Sequence, residues 1–197
     1  ERRVRCMGLN TGVTTTINGD GYLEVAATSW TVCALREADH KLVCSGAAPF
    51  AEDSFSHVTA DGSTICALRE DDGRGVCFGP GGGEPLVSDE PLSLLVASAY
   101  GGCGLTREDS RIHCWGHDYQ GVAAQRSYPG SDYQALTASH APCAITKDGR
   151  VRCFDADDAG PALPESRVFR SLRGECGFDE SGFLYCPGEA GRFIETL

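Results

Sequence analysis

Eleven cysteines dominate the chemistry open to this 197-residue sequence, at positions 6, 33, 44, 66, 77, 103, 114, 143, 153, 176 and 186. Thiolates can ligate zinc, act as nucleophiles or join as disulfides, and spacing discriminates among these roles. A zinc knuckle presents two ligands from one tight turn, about two to four residues apart. No CxxC occurs anywhere in the chain. Ten cysteines instead form five local pairs, Cys33 with Cys44, Cys66 with Cys77, Cys103 with Cys114, Cys143 with Cys153 and Cys176 with Cys186, with ten, ten, ten, nine and nine residues between partners. Such spacing fits disulfides, and disulfides imply an oxidising compartment: extracellular, secreted or periplasmic.

Other reactive constellations are thin. His113 and His117 flank Cys114 and would project to one face of a strand, but Cys114 is committed to Cys103, which leaves structural or surface histidines. The run NGDGYLE (Asn18 to Glu24) alternates oxygen ligands but lacks the further acids and the terminal Glu of a calcium loop, so it reads as a turn built on Gly19 and Gly21. Asp155, Asp157 and Asp158, and the EDDG run from Glu70, read as solvated turns. No GxSxG elbow, phosphate-binding loop or dinucleotide fingerprint occurs, and no two acids stand out as a hydrolytic pair. The sequence therefore assigns no catalytic residue, no cofactor and no metal.

Composition narrows the partners. Net charge is −11, from 28 acidic against 17 basic residues, and only Lys41 and Lys147 are lysines. A nucleic-acid binder would show a basic stripe, which is missing, so nucleic acid is excluded as a partner. No apolar run approaches the length of a membrane span, so direct membrane insertion is not expected. The chain opens with Glu1 and shows no signal peptide, which reads as a mature or excised piece. Its 25 glycines against one Met and two Trp favour many tight turns over packed helices.

The elements that position the cysteines form a repeat. CALREADHKLVCSG, CALREDDGRGVCFG, CGLTREDSRIHCWG, CAITKDGRVRCFD and CGFDESGFLYCPG align, with first cysteines 33, 37, 40 and 33 residues apart. Upstream of each lies a short apolar stretch, beginning at Tyr22, Phe55, Leu92, Tyr133 and Val168. In KDGR, a loop of Lys147, Asp148 and Gly149 pairs Thr146 with Arg150 and sets Cys143 opposite Cys153; Glu180, Ser181 and Gly182 do the same for Cys176 and Cys186. Pairs spaced by ten take a four-residue loop such as Glu70 to Gly73. Directly opposed residues of a non-hydrogen-bonded pair are close enough to be bridged. Each repeat is thus an upstream strand plus a stapled hairpin, about three strands. One such unit cannot bury its apolar face alone, so copies must stack or close radially. The expectation is an all-β propeller of short blades; the rival linear solenoid has parallel strands, which adjacent hairpins contradict.

The segment CGLTREDSRIHCWGHDYQG resembles the regulator-of-chromosome-condensation type of repeat through Cys103, Gly104, Leu105, Cys114, Trp115, Gly116, Asp118 and Gly121. The resemblance covers nearly the whole chain as five full repeats, and similar stapled short blades occur in ectodomains of Crinkly-type plant receptor kinases. Beta-lactamase inhibitor protein II has blades of similar length without the regular staples. The sequence departs from the family where Ser45, Phe78, Phe154 and Pro187 replace the Trp after the second cysteine. The resemblance implies a closed β-propeller that binds proteins through its blade loops; the nucleotide-exchange activity of the chromatin member does not carry over.

The expected repeats span approximately 20–48, 53–80, 90–120, 131–157 and 167–190, with half-blades at 1–9 and 192–197 completing a split sixth blade. Cys6 would then be unpaired or intermolecular. The expected protein-binding surface is the long stretch around and after Trp115, with Tyr119, Arg126 and Tyr128, because Tyr, Trp and Arg dominate interface hot spots. Tyr133 belongs to the next strand. The function expected is a non-enzymatic extracellular binding module, with a structural subunit of an extracellular or envelope assembly as the alternative. The partner is another protein or an assembly subunit, and the oligomeric state is left open. Peptide mapping under non-reducing conditions should recover the five intra-repeat disulfides; cross-repeat links at these positions would overturn the repeat assignment.

Overall fold

The computed structural model describes residues 3–7, 14–19, 21–45, 52–79, 83–117, 123–130, 132–138, 142–154, 163, 167–173, 176–187 and 193–196. Its regular structure is all-β. The first two strands, β1 (Arg3–Met7) and β2 (Thr14–Asn18), pair with each other. Five repeats follow. The first is β3 (Tyr22–Ala27), β4 (Val32–Arg36) and β5 (Leu42–Cys44); the second is β6 (Phe55–Asp61), β7 (Thr64–Arg69) and β8 (Arg74–Phe78). The long β9 (Leu86–Ser98) closes the second repeat and opens the third, which continues with β10 (Gly101–Thr106), β11 (Ile112–His117) and β12 (Ala123–Tyr128). The fourth is β13 (Tyr133–Ala138), β14 (Pro142–Thr146) and β15 (Val151–Cys153); the fifth is β16 (Phe169–Arg173), β17 (Cys176–Asp179), β18 (Leu184–Pro187) and β19 (Phe193–Thr196).

Within every repeat the inner, second and third strands pair antiparallel in sequence order. Each first cysteine sits on the second strand and each second cysteine on the third, and all five pairs are bonded with Cα separations of 4.0–4.2 Å. The loop chemistry expected from the sequence forms. Gly149 (φ 80°) closes the Lys147–Gly149 loop by donating its N–H to the Thr146 carbonyl at 2.8 Å, and Gly182 (φ 85°) does the same to Asp179 at 3.1 Å. The stretch after the second cysteine supplies an outer fourth strand to three repeats: the start of β9, β12 and β19.

A β-bulge that no periodicity announces recurs in all five inner strands. The register slips between Tyr22 and Glu24, Phe55 and His57, Leu92 and Leu94, Tyr133 and Ala135, and Phe169 and Ser171. One extra residue bends the strand and re-aims its side chains. The residue before each slip starts the inner strand's pairing, and Phe55, Leu92, Tyr133 and Phe169 are buried there, none more than 3% exposed.

Consecutive repeats bury their apolar faces against each other. Leu35, Leu42 and Cys33 of the first repeat pack with Phe55, Val58, Ile65 and Val76 of the second. Cys66, Leu68 and Cys77 pack with Leu92, Leu95 and Trp115; Leu105 and Ile112 pack with Tyr133 and Leu136; Ile145 packs with Phe169 and Tyr185. The β1–β2 pair packs in the same way, Ile17 and the half-buried Val4 and Cys6 lying against Val32 and Ala34. Each large side chain so buried contributes about 1.5–3 kcal/mol relative to exposure.

Hydrogen bonds at the second-to-third loops join the same neighbours. The N–H groups of Phe55, Leu92 and Phe169 donate to the carbonyls of His40, Gly73 and Gly149 in the preceding repeat, at 2.7, 2.7 and 2.8 Å. All three acceptor residues are left-handed, at φ 56°, 69° and 80°. Ser110 holds the equivalent place in the third repeat at φ 55°.

The terminal strands depart from expectation. Phe193–Thr196 does not open a further blade but pairs with β18, Cys186 lying opposite Ile194, as the outer strand of the fifth repeat. Arg3–Met7 pairs with Thr14–Asn18 and not with 193–196. Inner and outer strands both read as short apolar stretches, so the pattern at 192–197 fits either, and hydrogen-bond partnership decides between them. Cys6 is free and half-buried.

A left-handed conformation costs a side-chain-bearing residue about 1–2 kcal/mol, offset partly by the ~0.5–1 kcal/mol of chain entropy that glycine loses on folding. Ser110→Gly should therefore stabilise the protein by about 0.5–1 kcal/mol, and Gly73→Ala should destabilise it by ~1 kcal/mol. Shifts of the denaturant midpoint in opposite directions check both.

Candidate functional site

Antiparallel order places the loops at two ends of the repeats. Loops joining second and third strands share one end, and loops joining inner and second strands share the other. The first end is charged. Asp39 accepts two hydrogen bonds from the Arg36 guanidinium, at 2.7 and 2.5 Å, and one from the Lys41 amide at 3.3 Å. Asp72 accepts from Arg69 Nε at 3.1 Å and the Arg74 amide at 2.9 Å. Asp109 accepts from the Thr106 hydroxyl and Asp148 from the Thr146 hydroxyl, while Asp179 accepts the amides of Ser181 and Phe183 at 2.9 Å each.

These contacts set the titration of the loop acids. The Arg36 hydrogen bond pulls the Asp39 carboxyl down to about 2. The Thr106 and Thr146 hydroxyls hold Asp109 and Asp148 below the ordinary carboxylate range. At Asp72 desolvation opposes ionisation, but hydrogen bonds from the Arg74 amide and from Arg69 outweigh it, and its carboxyl is also lowered.

Of the residues expected to form a binding surface, Trp115, Arg126 and Tyr128 lie among the described residues. Trp115 is 4% exposed and lies in the core between the second and third repeats, its Nε1 donating to the Leu86 carbonyl at 3.1 Å. A Cβ on Gly75 would come within 2.4 Å of the indole and one on Gly102 within 2.7 Å, so two glycines clear the space it fills. Trp115 is therefore corrected from surface anchor to packing residue. Tyr128 is half-buried against Phe154, ring centroids 5.1 Å apart. Arg126 is exposed on β12, opposite Cys114. Tyr119 lies outside the described residues, as do Asp155, Asp157 and Asp158.

The other end is aromatic, and sequence reasoning missed it. Trp30 is 80% exposed and Tyr100 is 49% exposed, in the first and third inner-to-second loops. The Thr28 hydroxyl accepts the amides of Trp30 at 3.2 Å and Thr31 at 3.0 Å, closing a tight turn beneath the indole.

No protein-family model matches the sequence, and no curated protein matches it. Solved structures do match the fold. The chain is similar to the Crinkly WD40 ectodomain of the Arabidopsis thaliana receptor kinase ACR4, at 22% identity and TM-score 0.60 over 76% of this chain. It is similar to the entire ectodomain of the Physcomitrella patens receptor kinase CR4, at 17% identity and TM-score 0.68 over 90% of this chain. Yeast RCC1 (Prp20), in its complex with Kap60, matches at 12% identity and TM-score 0.60 over 83% of this chain. The fold is an RCC1-like, disulfide-stapled β-propeller. The chain spans 55%, 57% and 55% of the lengths of those three proteins. Its repeats form blades of that fold, and its five disulfides point to an oxidising compartment.

One polar cluster lies between blades 2 and 3. His113, 2% exposed, meets Asp89 Oδ1 and Gln125 Oε1 through Nε2, each at 2.8 Å, and Ser127 Oγ through Nδ1 at 3.0 Å. Glu90 completes the one grouping of His, Cys, Asp and Glu among the described residues that could hold a metal. Arg111 is already paired with Glu90 and with Asp109 at 3.0 Å, so a cation entering there would displace a guanidinium. His113 is also shielded from a substrate beside Trp115, whose ring centroid is 6.1 Å away. The cluster acts as a hydrogen-bonded joint that satisfies a buried imidazole. His117 is on the same strand, and Glu24 is turned to the His57 ring at 2.8 Å rather than to a cation, while Asp20 of the same run lies outside the described residues.

A carboxyl lowered in the folded state stabilises the protein above its unfolded pKa of about 3.9 and loses that contribution as pH falls through the folded value. For Asp39 the window runs from roughly 4 down to about 2. Asp39→Asn should flatten the loss of stability over that window and leave stability at pH 7 lower; thermal midpoints from pH 2 to 7 test this.

Proposed function

We propose that this chain is a non-enzymatic, extracellular protein-binding propeller. The observation that carries the reading is the double locking of its loops. Every second-to-third hairpin is closed by a disulfide, and three of them also receive a hydrogen bond from the next blade. Loops ordered before a partner arrives lose little entropy on binding, which is what a recognition scaffold needs. The likeness to two receptor ectodomains and to a propeller seen in complex with Kap60 supports protein recognition as the class of function. The charged end with its paired acids, and the closed His113 joint, supply no nucleophile with a free base beside it.

Selection of phage-displayed random dodecapeptides on the disulfide-intact chain tests the proposal. Families of peptides that bind saturably, and lose binding when the chain is reduced, are expected. No saturable binder would overturn the reading. An obligate multimer on sizing at nanomolar concentration would move the function to a structural subunit of an assembly.

A further inference from the structure

We propose that a hollow between blades 4 and 5 is a recognition site of this propeller, and that it takes a dipolar protein segment, with an acidic side chain close beside a basic one; this rests on the protein-binding reading above. The hollow measures about 410 Å³ and opens at the charged end. Blade 4 lines it with Gln134, Lys147 and Asp148, and blade 5 with Val168, Arg170 and Glu180.

The recurring bulge supplies two of these side chains. In each inner strand the slip leaves one residue out of register: Leu23, Ser56, Ser93, Gln134 and Arg170. The Ser56 and Ser93 hydroxyls donate to the Leu68 and Leu105 carbonyls of their own blades, at 3.4 and 3.2 Å. Gln134 and Arg170 are longer and exposed, and among the described residues their polar heads are not bonded back in this way. The backbone around the hollow is fixed before a ligand arrives. Phe169 donates to the Gly149 carbonyl at 2.8 Å, and Glu180 donates to the Val168 carbonyl at 3.2 Å. Val168 packs onto Gly149, where a Cβ would come within 2.3 Å of the valine Cγ1.

Charge decides the occupant. Lys147 is paired with Asp132 at 2.7 Å, and Asp148 accepts the Thr146 hydroxyl and lies 3.9 Å from Arg150 Nε. Arg170 and Glu180 have no ion-pair partner among the described residues, and they do not pair with each other. One free guanidinium and one free carboxylate thus line the same hollow, held apart. A purely acidic segment would meet Glu180, and a purely basic one would meet Arg170. A segment with one charge of each sign answers both. Arg170 donates two parallel N–H groups to the carboxylate, and Glu180 accepts from the neighbouring base. Val168, 38% exposed, offers apolar surface to the stems of both side chains. A free amino acid carries both charges too. All four charged lining groups are exposed, however, so such a small ligand would stay largely in water and gain little against the cost of association.

The test uses the peptides selected on the wild-type chain as above. Arg170→Glu should weaken their binding at least tenfold and Glu180→Lys at least fivefold. Arg170→Gln and Glu180→Gln, which remove each charge with less change, should weaken it at least threefold. Unchanged near-ultraviolet circular dichroism confirms that each variant is folded. Replacing the peptide's acid by lysine should abolish binding to wild type and restore it to Arg170→Glu. Affinity should fall at least fivefold between 0.05 and 0.5 M sodium chloride. Arg126→Glu, on the outer strand of blade 3, should leave affinity within twofold. Peptides that bind both charge-reversed variants as tightly as wild type would refute this site while the protein-binding reading stands. Displacement of the peptides by millimolar free glutamate or arginine would reassign the hollow to a small molecule and refute it as well. The absence of any saturable peptide would overturn both readings.

Discussion

A backbone carbonyl turned outward by a left-handed residue organises this molecule. At His40, Gly73 and Gly149 the positive φ directs the carbonyl away from its own hairpin and toward the next blade, where it receives the amide of Phe55, Leu92 or Phe169. Those residues begin inner strands and are the first to be buried in the space between blades. One dihedral angle therefore fixes where the next strand starts, and the strand start fixes how deep its leading side chain sits. The recurring bulge then follows at the next position, bending the strand so that its remaining side chains reach the same core.

So small a loop could not hold that angle unaided. Third strands here are as short as three residues, and an isolated hairpin is marginal in water. The disulfide closes each hairpin behind its loop, and constraining the unfolded chain contributes about 2–3 kcal/mol per bond in the chain-entropy account. The sulfurs are also packing surface. A Cβ on Gly102 would meet Cys77 Sγ at 2.6 Å, and the Gly101 carbonyl lies 3.2 Å from Cys66 Sγ, so the staple of blade 2 lines the wall against which blade 3 is built. Glycines on the third blade are the counterpart of the staple on the second.

The staples were legible in the sequence because antiparallel register is arithmetic: a known loop length and two cysteines determine whether the cysteines face each other. The same counting placed Tyr133 at the start of its strand. Several features escaped it for physical reasons. Trp115 occupies the position just past the second cysteine, which says nothing of what the facing blade removes to make room; Gly75 and Gly102 decide that, from other positions in the chain. His40 is left-handed at the place where Gly73 advertises the conformation, because its carbonyl serves as acceptor for the next blade whatever the side chain. Phe193–Thr196 reads as an inner strand because inner and outer strands share composition and differ only in their partner. Trp30 draws no notice in the sequence because its turn, Thr-Ser-Trp-Thr, carries no motif, and exposure is a property of the fold.

Each of the five disulfides closes within one blade, and the contacts between blades are non-covalent: apolar packing, hydrogen bonds and ion pairs such as that of Arg111 with Glu90. The molecule is thus built as a string of permanently tied knots that merely lean on one another. Each knot can be tied as its own hairpin emerges during synthesis, without waiting for distant chain, so oxidative pairing has short, local choices in place of a search among eleven thiols. Under tension applied along the chain the blades should peel away in succession. The tied hairpins would remain intact after the spaces between them had flooded, and could lean together again with their registers already set.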